Sequence, residues 1–543
     1  MEIKKLDLPE PSKLMDDYVH HFERLSAYFE YDYKNPEIYR ERLNDIRKYD
    51  FQREALVEYL AAFNRKYGAP TNVLANIERL RDKRAVVVVG GQQAGLLTGP
   101  AYTIHKCLSI VQVARHLETT LGVPVIPVFW IAGEDHDFAE VNHVHVFEQG
   151  RIRKIDFRHP DAGQTSISRL VVDREQLSRW VEAVFQAYGE TAHTRPLVDD
   201  LLRKAAQSDT LVAFFAQLLH DLFGDQGLVL LDSGDPALRR LEAPYFRKLI
   251  EQSEAICANV MEQLSLLKAE GYGSPLDQRP TSANLFYHNE QSERILLDRA
   301  ESGAFANESK GVRISREELF ALAETRPERL SNNVVTRPLM QEMLLPTVAF
   351  IGGPGEIAYW AALKGAFRAV GLVMPPVVPR KRITMIDRRT KRWLDEKAVA
   401  IREALTGGLS TRKEEWLRSQ HDWDVDAIHQ SVVEAVRTAY HPLGELAGAV
   451  SPALERIREK NWWLIEEQLN FMKKAIDREL RLRHATELSK FDRVEAALLP
   501  NRRPQERVWN IYYFINYWGR DLVDRLVALD LEPFDGCHAV VEL

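Results

Sequence analysis

Five short runs in this chain are almost wholly apolar, and each is followed at once by glycine or charge. They are AVVVV (85–89), VPVIPVFWI (123–131), GLVLL (227–231), TVAFI (347–351) and LVMPPVV (372–378). A strand that is apolar on both faces has to be covered on both faces. Such runs therefore select a parallel sheet packed between helices. The two prolines of the last run put it at the sheet edge. Between the first two runs, TIHKCLSIVQVARHLETT carries Ile104, Leu108 and Val111 at helical spacing, which completes a strand–helix–strand unit. The fold class expected is α/β, with a parallel sheet as its core.

The residues that leave each strand are GGQQAG, AGEDHD, DSGD, GGPGE and PRKR. In an open parallel sheet all of these lie along one edge, and ligands bind in the crevice beyond the carboxyl ends. At the first exit, Gly90 and Gly91 let the backbone turn out of the sheet. Thr98, Gly99 and Pro100 then precede a helix whose first N–H groups lack internal partners, a setting that draws phosphate. Tyr102, Thr103, His105 and Lys106 stand on its first turns, with His105 and Lys106 expected to meet that phosphate and Gln92 and Gln93 to touch substrate. Neither GxxxxGK[ST] nor GxGxxG occurs.

The second exit, WIAGEDHDFAEVNHVHVF (130–147), gathers Glu134, Asp135, His136, Asp137, Glu140, His143 and His145. These residue types suit either a metal or an acid–base site that grips amines. HExxH is missing, so no metal is assigned. At the fourth exit Glu356 is a helix cap or a holder of an amine or ribose, with Tyr359 and Trp360 as an apolar wall. At the fifth, Arg380, Lys381 and Arg382 suit a triphosphate, with a solvated basic turn as the alternative. SNNVVTRP (331–338) adds Asn332, Asn333 and Arg337 as polar contacts. No GxSxG nucleophile signature is present.

A chain of 543 residues exceeds one ordinary core. Residues 1–84 read as a helical lead-in and 85–386 as the core, with insertions at about 150–225 and 265–345. Residues 387–499 read as a helical coiled-coil arm, and the aromatic tail 500–543 as docking on the core. In the arm, Ile465, Leu469, Met472, Ile476 and Leu480 form a narrow stripe, with YHPLGELAGAVSP (440–452) as the turn. A stripe of that width invites a second copy, so a homodimer is expected. A net charge of -7 without a basic tract argues against nucleic acid as a partner. No apolar run reaches the length that a membrane span needs. The first residues lack the apolar centre of a signal peptide. Three scattered cysteines fit a reduced, cytoplasmic setting.

The motifs GGQQAGLLTGPAYTIHK, WIAGEDHDFAEVNH and FIGGPGEIAYW, with LLPNRRPQERVWN later, resemble those of the bacillithiol biosynthesis cysteine-adding enzymes. The resemblance runs from about residue 10 to the end. It implies a Rossmann-like core akin to nucleotidyltransferases, connecting insertions, and a C-terminal coiled coil that dimerises. It implies a ligase that joins cysteine to the amine of glucosaminyl malate. By position on that fold, Thr98 to Lys106 would replace the His-rich phosphate motif of adenylate-forming enzymes. Arg380 to Arg382 would replace their mobile basic loop. The expected activator is ATP or another nucleotide, with Mg2+ as its candidate companion. The competing readings are another acid-activating nucleotidyltransferase and a non-catalytic nucleotide sensor with a coiled-coil arm.

Overall fold

In the computed structural model, which describes residues 1–160, 163 and 165–543, the apolar runs make one five-stranded sheet. Its strands are β1 (Val86–Gln92), β2 (Val125–Ile131), β3 (Val229–Asp232), β4 (Thr347–Gly352) and β5 (Val377–Pro379). They lie in the order β5-β4-β1-β2-β3, and every neighbouring pair is parallel. All of β2 and β3 is buried, as strands covered on both faces must be. The edge strand β5 begins only at Val377, because Pro375 and Pro376 have no N–H to give to a ladder.

Helix α1 (Tyr102–Leu121) joins β1 to β2 and ends at Gly122, whose φ of 65° is left-handed. Helix α2 (Pro236–Glu251) follows β3, its start capped by the Asp235 carboxylate. Helix α3 (Pro354–Trp360) follows β4, and there Glu356 accepts the Gly353 N–H at 2.7 Å.

The insertions build the walls around the sheet's carboxyl edge. The first opens with a hairpin, His143–Glu148 against Arg151–Asp156, and continues in helices Arg174–Tyr188, Thr194–Gln207 and Leu211–Phe223. The second forms a five-stranded antiparallel sheet that includes Ser282–His288, Arg294–Arg299 and Leu330–Asn332. A third sheet joins distant parts of the chain. Strand His538–Glu542 pairs antiparallel with Glu2–Leu6 and parallel with Arg382–Ile386. The first residues are thus a strand before the helices start. The chain from Met1 to Arg388 and that from Arg503 to Leu543 form one unit. Inside it the N-terminal segment is structural support: Tyr18 donates to the Val377 carbonyl at 2.6 Å, and buried Arg42 donates to the Thr347 carbonyl at 3.0 Å.

Residues Arg389–Arg502 form the second unit. Helices Val425–Val450 and Glu455–Arg483 run antiparallel, held by Lys473 to Asp426 at 3.0 Å and by the Tyr440 hydroxyl donating to the Arg458 carbonyl at 3.3 Å. The turn takes up only the end of the 440–452 stretch: Pro442 lies inside the first long helix, and the chain reverses at Ser451 and Pro452, where the Ser451 hydroxyl accepts the Ala453 N–H at 3.2 Å. Gly444 serves close approach instead of turning: a Cβ there would lie 2.9 Å from Cδ of Arg458. Within the stripe Leu480 is buried, while Met472 and Ile476 are exposed. No helix among the described residues is long and apolar enough to cross a membrane.

Candidate functional site

A cavity of 810 Å³ opens beyond the carboxyl ends of the strands. Four of the five strand exits line it, through Gln92 and Gln93, through Glu134 to His136, through Gly353 to Glu356, and through Arg380. The remaining exit supports it from behind. Ser168 donates to the Asp232 carboxyl at 2.8 Å and fills the space beside two glycines. A Cβ on Gly133 would lie 2.1 Å from the Ser168 hydroxyl oxygen and 2.3 Å from the Asp232 carboxyl, and one on Gly234 would lie 2.2 Å from Ser168. Burial lifts the Asp232 carboxyl to about 7.

The acidic groups differ in what they have left to offer. Glu134 is buried, and its Oε2 accepts both from the Asn332 N–H at 3.1 Å and from the Arg239 guanidinium. Arg239 also donates to buried Glu242 at 2.6 Å. Asp135 is 32 % exposed. One of its oxygens accepts from Gln93 at 2.7 Å and the other from the His136 N–H at 2.7 Å. Glu140 sits exposed on the rim. His136 lies with Nδ1 3.0 Å from Arg294 Nη1. Burial, then the Arg294 charge, hold its pKa below the ordinary value.

Three cations line the inner part. Lys106 is 1 % exposed; its ammonium donates to the Gly91 carbonyl at 2.7 Å and pairs with Glu356. Burial lowers the Lys106 pKa, and Glu356 offsets only part of that. Arg337 donates to the Tyr359 hydroxyl at 2.8 Å and to the Gln341 side-chain oxygen at 3.1 Å, both neutral partners. Arg380 donates to Glu506 at 2.6 Å. The Asn332 amide and Trp130 Nε1 are buried cavity-lining groups with no partner among the described residues. Buried polar groups in that state are met by bound water or ligand.

Several expected site residues lie elsewhere. The start of α1 is not an open anion seat, because a segment four hundred residues further on occupies it. The Ala101 N–H donates to the Trp509 carbonyl at 2.8 Å, and the Asn510 amide donates to the carbonyls of Leu97 and Gly99 at 2.7 Å each. Thr98, Gly99 and Thr103 are enclosed by this packing and do not line the cavity. His105 is fully buried on the far side of α1, its Nδ1 2.9 Å from Glu506. Of the basic triplet only Arg380 reaches the cavity. The Lys381 ammonium, in the short connection between two strands, pairs with Asp535, and Arg382, the first residue of its strand in the third sheet, pairs with Glu10, so neither is a solvated turn residue. Asp137 is exposed before the short helix Phe138–Val141, and His143 sits on the hairpin with its ring 5.1 Å from that of His145.

The cavity also holds residues that sequence reasoning passed over. Arg294 stands in the SERILLD stretch of the second insertion, at the start of strand Arg294–Arg299; it is 6 % exposed and stacks 3.7 Å from the centre of the Phe286 ring. A charged residue within that strand was the available signal. Arg507 reaches the cavity from the C-terminal segment, with Glu506 just behind. No group of three or more His, Cys, Asp or Glu among the described residues is placed to hold a metal ion.

Residues 1–381 match the family described as Bacillithiol biosynthesis BshC, N-terminal Rossmann-like domain, and residues 383–543 match its C-terminal coiled-coil domain. Proteins named "Putative cysteine ligase BshC" from Geobacillus thermodenitrificans and Geobacillus kaustophilus are 41% and 42% identical to this chain over 541 residues, covering 100% of each chain. The protein of that name from Bacillus licheniformis is 39% identical over 547 residues, again over 100% of both chains. With both of its parts matched in order and the strand-exit cavity in place, the chain belongs to the bacillithiol biosynthesis BshC family.

Proposed function

We propose that the chain is a cytoplasmic ligase that joins the carboxyl group of cysteine to the amine of glucosaminyl malate, forming bacillithiol. The observation that carries this reading is the content of one cavity: buried cations with capacity to spare beside a carboxylate open to solvent. A carboxylate and an ammonium do not condense in water, since one lacks a leaving group and the other a lone pair. Asp135 is the acceptor for the amine's proton, oriented by Gln93. Lys106, Arg337 and Arg380 stabilise negative charge on the cysteine carboxyl side. A nucleotide, ATP or another with its Mg2+, supplies the activating group when bound, and Arg337 and Arg380 are the residues to hold its phosphates. Holding both reactants in one enclosure contributes through alignment. The exposed apolar residues of the long helices, Phe471 and Met472 among them, support pairing of two copies through the arm.

The test is product formation. The purified chain is incubated with cysteine, glucosaminyl malate and each common nucleoside triphosphate in turn, and bacillithiol is measured by mass spectrometry. Product is expected with the wild type, and Asp135→Asn is expected to lower the rate about hundredfold. An absence of product under every nucleotide condition overturns the reading.

A further inference from the structure

His136 is the one imidazole lining the cavity among the described residues. An imidazole beside a carboxylate invites assignment as the general base. The atoms around it argue for the opposite role. Arg294 Nη1 lies 3.0 Å from His136 Nδ1. A guanidinium carries only donors and keeps its protons at any pH a protein experiences. The Nδ1 atom must therefore accept, and the ring proton of neutral His136 sits on Nε2. Protonating Nδ1 would set two N–H groups against each other across this contact.

Arg294 is not free to yield. Its Nη2 donates to the Asn332 carbonyl at 2.7 Å and its Nε to the Ser331 hydroxyl at 3.2 Å. Its plane stacks on Phe286, 3.7 Å from the ring centre. The other charged groups facing the ring are Asp135, whose nearer oxygen is 3.6 Å from Nδ1, and Asp137. Neither displaces the arginine: the Asp135 oxygen is a partner of the same Arg294 Nη1, at 3.4 Å, and Gln93 and a backbone N–H engage the carboxylate further. No protein group among the described residues accepts from Nε2.

We infer that Arg294 locks His136 in the Nε2–H tautomer, so that His136 donates a hydrogen bond to a substrate oxygen and does not take the amine's proton. Arg294 is then a positioning residue, and the proton acceptor in the cavity is a carboxylate. The oxygen served is one that gains negative charge during acyl transfer, the carbonyl oxygen of the reacting carboxyl group. No proton leaves His136 in this role. The assignment to acyl transfer rests on the proposed ligase reading; the tautomer does not.

Two measurements test it separately. Imidazole nitrogen shifts are recorded by NMR on the full-length, histidine-labelled chain at pH 7, with His136 identified by the signals lost in His136→Gln. A protonated Nε2 and a bare Nδ1 are expected; an imidazolium or a protonated Nδ1 overturns the inference whether or not the chain is a ligase. In the product assay, His136→Gln, whose amide nitrogen reaches the Nε2 position, is expected to stay within about tenfold of wild type. His136→Asn, which places its amide near Nδ1, is expected to lose about hundredfold or more, as removal of one oxyanion donor does. Equal losses in the two variants overturn the donor role. In Arg294→Gln, which can accept as well as donate, a mixed tautomer signature is expected; an unchanged signature would remove Arg294 as its cause.

Discussion

Replacing Glu506 by glutamine is a test of how the cavity wall is held. The Glu506 side chain is 4 % exposed, and its partners Arg380 and His105 are 3 % and 0 % exposed. It accepts from Arg380 at 2.6 Å and lies 2.9 Å from His105 Nδ1. Glutamine keeps the volume and removes the charge, so no void opens. What remains is a buried guanidinium whose other protein acceptor is the Lys381 carbonyl at 3.2 Å. Breaking a buried ion pair from one side costs about 3–5 kcal/mol. The amide oxygen recovers about 1 kcal/mol as a neutral acceptor. The expected loss is about 2–4 kcal/mol, out of roughly 5–15 for a folded domain.

Urea titration followed by tryptophan fluorescence reads this at two pH values. Burial alone would raise the Glu506 pKa, but the Arg380 charge and the bonds from His105 and Arg380 bring it well below its ordinary 4.5. A depressed carboxylate contributes stability that is fully present above the ordinary value and is lost as pH falls through the folded one. The gap between wild type and Glu506→Gln should therefore be full at pH 7 and narrow below about 4.5. A gap under about 1 kcal/mol at pH 7 would show that this buried triad does not brace the wall.

Other outcomes follow from the same geometry. Lys106→Met should lower bacillithiol formation about hundredfold and, by leaving Glu356 without its partner, also lower stability, and Lys106→Arg should not rescue the rate, since the ammonium fills the space between the Gly91 carbonyl and Glu356; rates near wild type in either would remove Lys106 from the site. Gly133→Ala should destabilise by about 1–3 kcal/mol and weaken substrate binding, because its methyl group meets Ser168 and Asp232; an unchanged urea midpoint would count against that packing. A double substitution of Phe471 and Met472 by aspartate should convert a dimer to monomers in sedimentation without loss of helix by circular dichroism, and an unaltered mass would reject pairing through that face.

The sheet was legible because its rule is local. Four valines in a row report burial on both faces wherever they occur, and the residues after them must fall at one edge. That alone brought Gln93, Asp135, Glu356 and Arg380 into one cavity. What stayed illegible depends on partners far away in the chain. The start of α1 has every local mark of an anion site, yet the Trp509 carbonyl takes the Ala101 N–H and Asn510 binds the loop just before it. Lys381 and Arg382 look like a phosphate clamp until Asp535 and Glu10 answer their charges and His538–Glu542 pairs with the strand that starts at Arg382. Arg294 was hidden because strand periodicity says which face a residue takes, not what stands opposite.

The return of residues 503–543 to the first unit also bears on how the protein is made. The ribosome releases the five sheet strands long before it releases Glu506, Arg507 and Asn510. Until then the first helix has an uncovered start and Arg380 an unanswered charge. A message broken anywhere within the arm therefore yields a chain that contains all five strands of the parallel sheet but lacks the third sheet's His538–Glu542 and the C-terminal part of the cavity wall.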